Sequence, residues 1–146
     1  MGWVKDQIQE EENLPKLLPN LWNAMRDSIG AAADDFNDTI SDASDEWLEA
    51  VDCQSMGRFC RRVTKCSGML AIEVFLDVKE RELKVSERLQ EQVVCQYRMA
   101  TDGTRAEFFT EGPEGPIILT VEQACRMALK DFILRKVNGS LSSRLR

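Results

Sequence analysis

Three consecutive blocks decide the reading of this chain: MRDSIGAAADD at 25–35, FNDTISDASDE at 36–46 and WLEAVDCQSMG at 47–57. Aligned, they form an eleven-residue repeat. Leu14, Met25, Phe36 and Trp47 make one column, and Leu18, Ile29, Ile40 and Val51 a second. Leu21, Ala32 and Ala43 make a third, and Asp27, Asp38 and Glu49 an acidic one. The apolar steps alternate between four and three residues, which is helical spacing. An eleven-residue period is 3.67 residues per turn, so the apolar stripe runs almost parallel to the helix axis. Pro19 suits a first helical turn and neither Pro15 nor Pro19 suits a helix interior. The pattern therefore predicts one helix from about Pro19 to Val51, roughly 50 Å long. Gly30 is the point where it could bend.

Outward from the repeat, the charge is divided unevenly. Residues 1–52 carry thirteen acids and three bases, whereas 53–146 carry twelve acids and sixteen bases. No base occurs between Arg26 and Arg58, a span with nine acids. Arg58, Arg61, Arg62 and Lys65 follow at once. Read as a short second helix, this basic stretch would fold back beside the acids at 45–52. Phosphate binding needs Lys and Arg, so nucleic acid and anionic lipid are unlikely partners of the acidic half.

The second half carries strand signals. Residues 69–78 alternate in polarity, as does a shorter run over 82–87 within the ambiguous stretch 79–92. Asp102-Gly103 separates two alternating runs within 93–111 and predicts a hairpin with Met99 opposite Ala106, Arg98 opposite Glu107 and Tyr97 opposite Phe108. Gly112 to Pro116 reads as a connector and Pro116 to Leu119 as a short strand. Thr120 with Gln123 forms a capping box that starts a helix, and Asn138-Gly139 ends it. The fold class is α+β: a long N-terminal helix, an antiparallel sheet of three to five strands and a closing C-terminal helix. Residues 1–52 form an acidic helical region, 53–68 a basic cysteine-containing connector, 69–138 an α+β domain and 139–146 a mobile tail.

Chemistry is bounded by what is missing. The chain has no histidine, which excludes Ser-His and Cys-His catalysis and histidine metal sites. Its five cysteines are not at C-x2-C spacing, so they read as reduced thiols rather than a zinc site or a disulfide framework. Phosphate-cradling and nucleophile-elbow motifs are absent. Glu73 and Asp77, four apart on a strand, would stand about 13 Å apart, too far to act on one bond. No catalytic residue, cofactor or metal is predicted. The start has no apolar core for a secretory signal and no run is long enough to span a membrane, so the expected location is cytoplasmic.

The expected function is a protein-interaction module that self-associates or docks a protein partner through the long acidic helix. Leu21, Met25, Ile29, Phe36, Ile40 and Trp47 are the expected apolar anchors, with Asp38, Asp42, Asp45 and Glu49 setting charge complementarity. Two alternatives come from other classes. A pocket lined by Tyr97, Met99, Phe108 and Phe75 could hold a small apolar ligand. The acidic helix could also mimic nucleic-acid charge and block a basic protein.

Overall fold

The computed structural model describes residues 2–42, 49–65 and 68–135. A long helix, α1 (Trp3–Asp42), leads into seven strands and a closing helix. The strands are β1 (Asp52–Ser55), β2 (Cys60–Lys65), β3 (Leu70–Asp77), β4 (Glu82–Glu87), β5 (Gln90–Met99), β6 (Ala106–Gly112) and β7 (Gly115–Leu119), and the closing helix is α2 (Val121–Ile133). The strands form a single antiparallel meander in chain order. The class is α+β as expected, but the sheet has seven strands rather than three to five.

The two extra strands lie at residues 52–65: β1 precedes the first base, Arg58, and β2 takes the place of the expected basic helix. Val63 is fully buried and sits opposite Ile72, so residues 60–65 alternate with period two. The bases also disperse rather than gather beside acids 45–52. Arg62 pairs across the ladder with Glu73 at 2.8 Å, Arg58 stacks on the Phe59 ring, and the Lys65 Nζ donates to the Arg135 carbonyl at 2.7 Å. Phe59 takes a left-handed backbone, φ 63°, a costly conformation for an aromatic residue. That turn aims its ring inward, edge-on to Trp22 of α1.

α1 differs from its expected span at both ends. It begins at Trp3 and runs through Pro15 and Pro19. Each interior proline removes a helix hydrogen bond and costs about 3 kcal/mol. Flanking contacts offset that cost: Leu14 and Leu18 are buried, and Arg81 holds Glu10 and Glu11 at 3.1 and 2.8 Å. At the other end the described part of α1 ends at Asp42, and residues 49–51 are not helical, so the helix does not reach Val51. Val51 still reaches the core by a different route. The Asn37 side chain donates to its carbonyl and accepts from its amide, both at 2.8 Å, so the returning chain is clamped against the helix.

The stripe on α1 is the spine of the core. Leu14, Leu18, Leu21, Met25, Ile29, Ala33 and Phe36 are all buried, in one cluster with Val63, Ile72, Val74, Leu83, Tyr97, Phe108 and the inner face of α2. The predicted strand 82–87 is present, as is the hairpin register of Tyr97, Arg98 and Met99 on Phe108, Glu107 and Ala106. Its turn is wider than two residues. The Ala100 amide donates to the Arg105 carbonyl, and Asp102 caps the Thr104 amide. Of the two turn residues only Gly103 has positive φ. Residues 139–146 and the expected stop at Asn138-Gly139 lie outside the described residues; the described part of α2 ends at Ile133.

Candidate docking groove between the two helices

α2 is fixed at both ends. At its start the Thr120 hydroxyl accepts from the Gln123 amide at 3.0 Å, and the Gln123 side chain accepts from the Thr120 amide at 2.8 Å. Those bonds satisfy amides that have no partner within the helix. At its end the buried Lys65 ammonium meets the Arg135 carbonyl and lies 5.4 Å from the Phe132 ring centre. Positive charge is favoured at that helix terminus. Arg135 itself binds the Glu87 carboxylate in a two-pronged pair, which holds the Glu87 pKa below the usual glutamate range.

The two helices run in the same direction. Val121 shares a small cavity with Leu21 and Ala24, and the Cys125 thiol bonds with Ser28, one turn further along both. Ala124, Cys125, Ala128, Leu129, Phe132 and Ile133 turn inward. The outward side between the helices is an open groove of about 630 Å³. Ser28, Ala31 and Ala32 form its α1 wall, Leu129 and Ile133 contribute its floor, and Glu122, Arg126 and Lys130 stand at helical spacing on its α2 rim. Small side chains on one wall let another helix approach closely. Beside that wall, Asp27, Asp34 and Asp38 occupy the exposed crest of α1, and Asp35 leans into the groove.

The outer face of the sheet is different. Bases on it are held in cross-strand pairs: Arg62 with Glu73, Lys84 with Asp77 at 2.9 Å, and Arg98 with Glu107 at 3.3 Å, with Glu82 and Glu91 also beside Lys84. Backbone amides near Glu80 and the Lys84 ammonium hold the Asp77 pKa below the ordinary aspartate range.

The four described thiols are not activated. Burial pushes the Cys95 pKa up to about 12 and raises those of Cys125, Cys53 and Cys60, with the Arg61 guanidinium opposing the rise at Cys53. Burial also pushes the Tyr97 phenol up to about 12, and its hydroxyl donates to the Asp77 carbonyl. Thiolate chemistry needs the opposite environment. Among the described residues no group of three acids or cysteines comes together as a metal site. No described helix is long and apolar enough to cross a membrane.

The residues singled out in the sequence separate into two sets. Leu21, Met25, Ile29 and Phe36 are buried by this chain's own sheet and α2, and Ile40 is half-buried against the same cluster. Leu21, Met25 and Ile29 are out of a partner's reach in the folded subunit, whereas Phe36 also lines the groove between the helices. Asp38 is exposed, and Glu49 is half-buried beyond the end of the helix. The Asp42 side chain, Asp45 and Trp47 lie outside what is described. The four residues read as a ligand pocket do not share a face. Tyr97 and Phe108 are solid core, whereas Phe75, opposite Lys84 and Cys60, points to the other side of the sheet. Ala31, Ala32, Arg126 and Lys130 went unselected; the alanine run at 31–33 beside the acidic crest was the available signal. No known protein family, curated protein or solved structure matches this chain.

Proposed function

We propose that this chain is a non-enzymatic protein-interaction module that receives a basic amphipathic helix in the groove between α1 and α2. The observation that carries the reading is the juxtaposition of a small-residue apolar groove with a helix crest that holds only acids after Arg26. The groove supplies contact area, and the acids supply orientation and association rate. The docking surface is thus the flank of α1, which meets the repeat at Ala32 and at the edge of Phe36, rather than the buried face of the stripe at Leu21, Met25 and Ile29. Free thiols at Cys53, Cys60, Cys95 and Cys125 suit a reducing, cytoplasmic setting.

The test uses a Leu/Lys amphipathic helical peptide and its Leu/Glu counterpart, followed by fluorescence anisotropy. The Leu/Lys peptide binds and the Leu/Glu peptide does not. Replacing Asp27, Asp34 and Asp35 together by Asn weakens binding about tenfold, equal to about 1.4 kcal/mol. Ala32→Trp, which fills the groove, abolishes it. Binding that survives Ala32→Trp would show attraction to charge alone and overturn the groove; absence of binding by either peptide would overturn the module.

A further inference from the structure

β7 is the terminal strand of the sheet, so its far edge pairs with no other described strand. Such edges are normally guarded by charge or covered by another element. This one carries Ile117 and Ile118 on opposite faces, 51% and 48% exposed. The run Gly115–Val121 contains no charged residue, and Pro116 is its only guard against pairing. Gly112 shapes the same hairpin: an added Cβ there would stand 2.6 Å from the Ile117 side chain, which lies across it.

We infer that β7 is a self-pairing edge, joining antiparallel to β7 of a second copy of this chain about a two-fold axis centred on Ile118. Side-chain parity permits this centre. Ile118 faces Ile118 of the second copy on the outer face, next to its cross-strand neighbour Phe109, and Ile117 faces Leu119 of the second copy on the inner face. The opposite edge, β1, is a poor alternative. It is a four-residue polar strand, Asp-Cys-Gln-Ser, and a β7-to-β1 contact would set isoleucines against polar side chains and grow without closing. Two half-exposed isoleucines on a five-residue strand fall well short of the roughly 800 Å² per partner of a stable interface, so the dimer is weak and concentration-dependent.

This pairing is independent of the helix groove, and sedimentation velocity over a concentration series separates the two. The unsubstituted chain shifts reversibly from monomer to dimer as concentration rises. Ile118→Lys, which sets two like charges opposite each other, sediments as monomer throughout. Val93→Lys, at an exposed position of an interior strand, and Ala32→Trp, in the groove, dimerise as the unsubstituted chain does. A chain that stays monomeric at millimolar concentration overturns the inference. So does an Ile118→Lys variant that still dimerises, or growth past the dimer.

Discussion

Met25 is where the role of the repeat can be weighed. Its side chain has no exposed surface and sits at the centre of the stripe that α1 lays against the sheet. Truncation of such a residue to alanine removes its transfer free energy and leaves a cavity, together costing about 2–5 kcal/mol. Whole-domain stability is about 5–15 kcal/mol, so Met25→Ala takes a large fraction of it. At about 2 cal/mol/K of unfolding entropy per residue, a chain of this length loses about 7–16 °C in midpoint. Asp34→Ala, exposed on the same helix, stays within about 0.5 kcal/mol of the unsubstituted chain. Phe36→Asp places a carboxylate in the core and abolishes the cooperative transition. Far-UV circular dichroism during thermal and urea unfolding reads all three, with light scattering for mass. The reasoning is refuted if Met25→Ala melts like the unsubstituted chain while the mass in solution falls, because the stripe would then face a partner.

Three further outcomes follow from the same contacts. Gly30→Ala should raise stability by about 0.4–1 kcal/mol, since an added Cβ meets nothing within 4 Å and the helix gains propensity; an unchanged or lower melting midpoint contradicts this. Glu87 and Asp77 have folded pKa values below their unfolded ones, so the stability they contribute is present above the unfolded carboxylate pKa and is lost as pH falls through the folded value. Glu87→Gln should therefore flatten the acid limb of a stability-versus-pH curve, and an identical limb would exclude the Arg135 pair as its source. Cys95 and Cys125, buried and with raised pKa values, should react with a thiol reagent only on unfolding; mass spectrometry showing either labelled in the native state would contradict their packing.

Features fixed by neighbouring residues were legible in the sequence. The capping box at Thr120 and Gln123 and the hairpin register through Arg98 and Glu107 are settled within a few positions, and both are present. The span of α1 was not legible, because tertiary contacts override local preference there. Arg81, seventy residues away, holds the turn that precedes Pro15, and Asn37 captures Val51 after the chain has left the helix. Strand β2 was hidden because Arg61, Arg62 and Lys65 suggested a solvated helix, whereas Lys65 is buried at the end of α2 and Arg62 is paired in the ladder; β1, four polar residues, gives no strand signal of its own. From Leu14 to Phe36 the apolar stripe is core, but its cover could not be judged while the sheet was thought smaller. Against a sheet of seven strands Leu21, Met25 and Ile29 are core, and the groove formed between α1 and α2 is a property of two distant segments.

Native-state hydrogen exchange on residues 14–36, at a concentration where the chain is monomeric, bears most directly on α1 as the spine of a single subunit. Amides of Leu18, Met25 and Ile29 should exchange only through global unfolding, with free energies matching that from urea denaturation. Exchange of those amides at the far lower free energy of a fraying helix, while β3 and β5 stay protected, would mean that α1 is an appendage awaiting a partner.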